Sequence, residues 1–314
     1  MQKESDGNNS NVQKPNEKKM KLGSWINDKR GALKGKPRDP MKFRIPYEPI
    51  DLLRQLCSVK PEGSWRDNPT DRMPRRVQWI LDMCEDLGFE TTVDKWHIAS
   101  SPLYNVHVHG KGPLMLIAHH DINNPDSENA NDNSASIVNA LMLKTLRPST
   151  PLTFTDGEEF GGFGAKRLGT HILNKSVPGA PYVRAVLNLE LTGRGGKYFF
   201  LGESPMEESS DLSCFIQDMF ECPTFPVPFN DAVILRNMGI DTVVINPLPP
   251  LTEKEKSWEV GYSDSFPIEY LGESLNKRVL HLCHSKEDTV SKCSNRDMRE
   301  FIGAVLDPIV RKYF

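Results

Sequence analysis

No stretch of the 314-residue chain approaches the ~20 consecutive apolar residues that a membrane span needs. The first residues hold lysines but no apolar segment of the secretory type, so no secretory signal is read there. The six cysteines (Cys57, Cys84, Cys214, Cys222, Cys283, Cys293) form no C-x-x-C and follow no regular spacing. Reduced thiols and a cytoplasmic location are the expectation. Positive charge is scarce beyond the N-terminus. Residues 1–42 carry 11 Lys/Arg against 5 Asp/Glu, a net of +6, so within the overall −3 the rest of the chain carries −9. An acidic body argues against specific nucleic-acid binding. No repeat and no linker interrupts 43–314. The expected organisation is a disordered basic and polar tail over 1–42, too poor in apolar residues to offset its ordering entropy, and a single domain over 43–314.

Within that domain the strongest local signal is Leu114–Ala118, an apolar run without polar alternation. It suits a strand buried on both faces in a parallel sheet. It breaks abruptly into His119-His120-Asp121, which a parallel strand would deliver to the carboxyl edge of the sheet, where open α/β folds place their sites. A polar, turn-rich segment then leads to Asn131-Asp132-Asn133 ahead of a helix over 136–146. Helices are expected over 49–59, 74–87, 165–173, 211–220, 231–238, 272–283 and 295–312, and strands over 91–98, 104–109, 151–155, 184–191 and 241–246. The alternation in 104–109 suggests an exposed face near a sheet edge, with His107 and His109 as surface residues. Strands alternating with helices give an α/β protein, a three-layer αβα sandwich around a mixed, largely parallel sheet.

Acidic and imidazole groups gather where these elements end: His119 and Asp121, Asp132, Glu158-Glu159, Glu190, and His284 with Glu287 and Asp288. Singly, each has a structural explanation, as a helix cap, a dipole partner or a hydrogen-bonded strand end. Together they require compensation, because buried acids are costly without positive charge, and no matching set of Lys or Arg lies in the same turns. Imidazoles with carboxylates are a zinc-type ligand set.

In order, His119-x-Asp121, Asn131-Asp132-Asn133, Glu158-Glu159-Phe160-Gly161-Gly162-Phe163-Gly164-Ala165, Asn188-Leu189-Glu190 and His284 ahead of Asp288-Thr289 resemble the M28 family of co-catalytic zinc aminopeptidases. Asn230-Asp231 with Gly239-Ile240 is similar to that family's Ser-Asp…Gly-Ile segment. The resemblance spans about 91–314 and implies a zinc-exopeptidase-like fold and two zinc ions per chain, with cobalt or manganese as alternatives. It implies that Asp132 bridges the metals, that His119 and Glu190 complete one site, and that Glu159 and His284 complete the other. Glu158 would be the general base, and Asp121 would orient His119 through its second ring nitrogen. The substrate would be a peptide or small amide, attacked at its N-terminal residue; oligomeric state is left open.

Three positions depart from the family pattern: Glu190 stands for the usual Asp, Ala232 for a His, and Cys283 for a Tyr that stabilises the oxyanion in some relatives. Tyr262, Tyr270 or the metals alone are the alternatives for that last role. Pocket walls are expected from 199–205, 225–230 and 258–266. The competing readings are a carboxypeptidase or other zinc amidohydrolase, a single-zinc glutaminyl-cyclase-like acyltransferase, and a non-catalytic binding protein on the same scaffold.

Overall fold

A computed structural model describes residues 46–59, 73–203, 210–220, 222, 224–227, 229–248 and 280–313. The expected tail over 1–42, most of the expected helix over 272–283, Tyr262, Tyr270 and the 258–266 wall lie outside these residues. The apolar run forms β3 (Leu114–His119), buried along its whole length. Alternate side chains enter two separate cores: Leu114, Leu116 and Ala118 on one face, Met115 and Ile117 on the other. That double burial explains why the run shows no polar alternation.

Around β3 lie β1 (Thr91–Ile98), β2 (Ser101–Val108), β4 (Leu152–Thr155), β5 (Ala185–Leu189), β6 (Phe199–Glu203), β7 (Thr224–Pro226) and β8 (Asp241–Pro247). The sheet order is β1-β2-β4-β3-β5-β8-β6-β7. The central β4-β3-β5-β8 block is parallel, as is β6-β7; β1-β2, β2-β4 and β8-β6 are antiparallel. The short strands β6 and β7 have no counterpart in the sequence reading.

Helices cover both faces. On one side lie α1 (Pro49–Ser58), α2 (Arg75–Asp86), α3 (Ala135–Leu146), α5 (Asp211–Phe220), α7 (Asn295–Phe301) and α8 (Asp307–Tyr313). On the other lie α4 (Phe163–Leu173) and α6 (Asp231–Asn237). The architecture is therefore the expected αβα sandwich. Helix α1 opens on Pro49, whose fixed φ and missing N–H suit the first turn, and it buries Leu52, Leu53 and Leu56. Helix α2 is followed by Gly88 at φ +73°, a left-handed position that glycine adopts without strain. The expected single helix over 295–312 is two helices joined by a wider π turn (Ile302–Leu306). Pro308, which cannot donate a backbone hydrogen bond, sits just beyond that turn.

One expectation is corrected. Strand β2 lies next to the edge strand β1, near the sheet edge as expected, but it has no exposed face: Leu103–Val108 are buried. His107 is buried, with its Nδ1 2.9 Å from Thr153 Oγ1 and its ring edge-on to His171 of α4. Its alternation with apolar neighbours reflects a polar cluster under α4, not solvent. His109 is half-buried, beside Thr92 and Glu90. Among the described residues no helix is long and apolar enough to cross a membrane.

Candidate metal centre

From β3 the chain crosses through α3 to β4 on one side, then through α4 to β5 on the other. That reversal opens a crevice at the carboxyl ends of three adjacent strands, the usual ligand position in such sheets. His119 is the last residue of β3, Glu158 and Glu159 follow β4 by a few residues, and Glu190 follows β5 directly. Asp132 arrives from a π turn (Ala130–Ser134) in front of α3, with a cis peptide joining it to Asn133. His284 comes from near the far end of the chain.

The structure brings all five expected ligands together. His119 Nε2 lies 3.2 Å from Asp132 Oδ1 and 3.6 Å from Glu190 Oε2. His284 Nε2 lies 3.7 Å from Asp132 Oδ2 and 2.8 Å from Glu159 Oε2. The two oxygens of Asp132 thus face two different imidazoles. Two donors that each sit 2.0–2.1 Å from a tetrahedral zinc ion are about 3.3 Å apart. The three longer separations straddle that value, and the shortest is a close ion-pair contact. The donor atoms of His119, Asp132 and Glu190, and those of Asp132, Glu159 and His284, each form a group within 4.8 Å. His120, by contrast, turns away and bonds the Tyr104 carbonyl at 2.7 Å.

Electrostatics favour a cation here. Burial pushes Glu158 up to about 10, with Glu190, Asp231 and Asp121 adding to the rise. Burial likewise raises Glu190, and it takes Glu159 and Asp231 up to about 7. Burial acts to lower His119, but Glu190, Asp121 and Asp132 outweigh it and hold the ring well above its ordinary value. Among the described residues the only ion-pair partners of Asp132, Glu159 and Glu190 are the imidazoles of His119 and His284. The buried Glu159 Oε1 has no hydrogen-bond partner among the described residues. A divalent ion is what would let these acids ionise together, so donor set, spacing and charge all fit one.

The surrounding groups hold this geometry. His119 Nδ1 bonds the backbone carbonyl of Asp121 at 3.2 Å, with the Asp121 carboxylate 3.5 Å away. The expected orienting role of Asp121 therefore runs chiefly through its backbone. Its carboxylate also fixes the glutamate turn, since Oδ1 and Oδ2 accept the backbone N–H groups of Glu158 and Glu159 at 3.2 and 3.1 Å. Gly164 lets the same turn close, because a Cβ there would fall 2.5 Å from the Asp156 carbonyl oxygen. Asn230 caps α6 by accepting from Ala232 N and Val233 N, and Asp231 then buries its carboxylate against Thr155.

Three supporting residues carry no role in the sequence reading. Asp288 accepts the backbone N–H groups of Asn131 and Asp132 at 2.8 and 3.0 Å. Arg76 donates through Nε to the His120 carbonyl and through Nη2 to Ser134 Oγ, so it braces both lips of the crevice. Asn188 donates to Glu190 Oε1 at 3.1 Å. Arg76 does leave a trace: it falls on the apolar stripe of α2 with Ile80 and Met83. Phe229, from the expected 225–230 wall, is exposed and lies close to Gly162 of the glutamate turn.

Comparison with known proteins agrees with this arrangement. The vacuolar membrane protease of Botryotinia fuckeliana (strain B05.10) is 32% identical over 123 residues, which are 37% of this chain and 11% of that protein. The chain thus spans about a tenth of that relative's length. Among solved structures, the Legionella pneumophila LapA aminopeptidase matches with a TM-score of 0.59 at 14% identity, covering 85% of this chain and 71% of its own. The Porphyromonas gingivalis glutaminyl cyclase matches with a TM-score of 0.57 at 15% identity, covering 84% and 97%. At such identities these two likenesses establish the fold. The family model of peptidase family M28 matches residues 105–307, a span that begins in β2, takes in His119, Asp132, Glu158, Glu159, Glu190 and His284, and ends at the start of α8. With the model covering well over half of the sequence, this chain belongs to peptidase family M28.

Proposed function

We propose that the protein is a dinuclear zinc aminopeptidase. The observation that carries the reading is Asp132, whose Oδ1 faces His119 and whose Oδ2 faces His284. One ion would be held by His119, Glu190 and Asp132, the other by His284, Glu159 and Asp132. Zinc held there supplies Lewis-acid polarisation of the scissile carbonyl and a water acidified towards neutral pH. Glu158 takes a proton from the attacking water and passes it to the departing amine nitrogen as the C–N bond breaks. Asp121 keeps Glu158 and Glu159 in register through their backbone N–H groups. The aminopeptidase among the solved structures that share this fold supports removal of N-terminal residues over C-terminal ones. That no disulfide links cysteines among the described residues suits a reducing, cytoplasmic setting.

The fold shared with a glutaminyl cyclase supports a second reading, intramolecular acyl transfer on a single metal. The full five-ligand set favours the two-metal hydrolase. Elemental analysis of protein prepared without chelator, together with cleavage of free and N-acetylated peptides, tests the choice. Two zinc ions per chain with cleavage of free-amine peptides alone are expected. One zinc ion with cyclisation of an N-terminal glutamine would install the second reading. No metal, and none regained from added zinc, would refute both.

A further inference from the structure

We propose that Asn188 is a positioning residue that makes Glu190 a one-oxygen metal ligand. The inference rests on the metal reading above and adds the control of ligation mode. Asn188 lies two residues before Glu190, at the end of β5. Its side chain is fully buried, and Nδ2 donates to Glu190 Oε1 at 3.1 Å. The other oxygen, Oε2, is the one turned towards His119 Nε2. Among the described residues Asn188 Oδ1 is buried without a hydrogen-bond partner, so there the bond to Glu190 is the one use the side chain makes of its polarity. The opposite amide orientation would set an oxygen against a carboxylate and is excluded by charge.

Glu190 needs such control. A glutamate has one more torsion than the aspartate usual in the family, and a free carboxylate end can rotate to present both oxygens. Its backbone is already clamped by Asn133, which donates from Nδ2 to the Leu189 carbonyl at 2.9 Å and accepts from Leu191 N at 3.3 Å. The carboxylate end is held by Asn188. With Oε1 engaged, the site offers His119 Nε2, Asp132 Oδ1 and Glu190 Oε2 as three single-atom donors and keeps coordination space open for water and substrate.

The test is a double-mutant cycle of Asn188→Ala and Glu190→Asp, built on His284→Ala protein so that the His119 site alone is titrated. Zinc affinity is measured by competition with a chelator, and ligation by the visible absorption of the cobalt(II)-loaded protein. With Glu190 present, Asn188→Ala is expected to weaken zinc binding about 10- to 100-fold. The cobalt bands should lose intensity as the carboxylate supplies a second oxygen. In the Glu190→Asp background both effects should vanish, because the shorter carboxylate draws back from the amide. An equal loss in both backgrounds would make Asn188 a packing residue and overturn the proposal, since independent effects add. Unchanged affinity and spectrum would overturn it too, while leaving the metal reading intact. Wild-type protein that binds neither metal would remove both. Should Asn188→Ala fail to fold, Asn188→Ser takes its place in the cycle with the same expectations.

Discussion

Asp288 Oδ2 accepts the backbone N–H of Asp132 at 3.0 Å, although 156 residues separate them. Oδ1 of the same carboxylate holds Asn131 N, and the Asp288 carbonyl takes Ser127 Oγ at 3.1 Å. The loop that carries His284 is thereby fastened to the turn that carries Asp132. Asp288→Ala should weaken zinc binding about 10- to 100-fold, as removal of ligand-supporting groups typically does. Calorimetric titration of metal-free protein checks this, and unchanged affinity at both sites would reject it.

Glu158 is the proposed base and lies outside both ligand sets. Glu158→Gln should therefore keep two zinc ions per chain and lose about 10²- to 10⁴-fold in kcat, the usual span of general base contributions. Metal content and steady-state rates on the same preparation decide it. A variant with near-normal kcat would remove Glu158 from the mechanism.

Arg76 is a buried cation whose two hydrogen bonds tie His120 to Ser134. Arg76→Met keeps most of the apolar stem but leaves both acceptors without this donor. A cost of about 3 kcal/mol in unfolding free energy is expected, read from the urea midpoint. A change below about 0.5 kcal/mol, the size of ordinary surface effects, would show that water replaces the guanidinium freely.

The buried His107 supplies a pH dependence away from the centre. Burial lowers it to about 4, His171 and His109 add to the fall, and Asp94 opposes it. The folded state therefore favours the neutral ring, and its contribution is complete above about pH 6.5 and lost as pH drops towards 4. That swing is worth about 3 kcal/mol. Comparing urea melts at pH 7.5 and 4.5, His107→Gln should lose less stability on acidification than the wild type. Equal losses would refute the assignment.

What the residues revealed, and what they hid, follows from the range of the interactions. Strand β3 was legible because burial on both faces leaves an apolar run, and the cluster of candidate ligands because acids and imidazoles gathered at several strand ends have few cheaper explanations together. The strand β2 misled because Asn105 and His107 alternate with apolar residues as an exposed face would, while their true partners, Gly164, Thr153 and His171, belong to α4 and β4. Asn188 was visible within its motif, but its bond to Glu190 depends on side-chain direction at the end of β5. Arg76 and Asp288 act across 44 to 161 residues of sequence, and no local pattern encodes such a partner.

The order of the ligands along the chain makes synthesis an assembly sequence. His119, Asp132 and Glu190 have all left the ribosome once residue 190 has, whereas the proposed second ion would wait for His284 and the Asp288 latch. A growing chain can thus fold the sheet and gather one ion while still unable to complete a two-metal centre. In the proposed enzyme hydrolytic power arrives last, after the strands that surround it have been made.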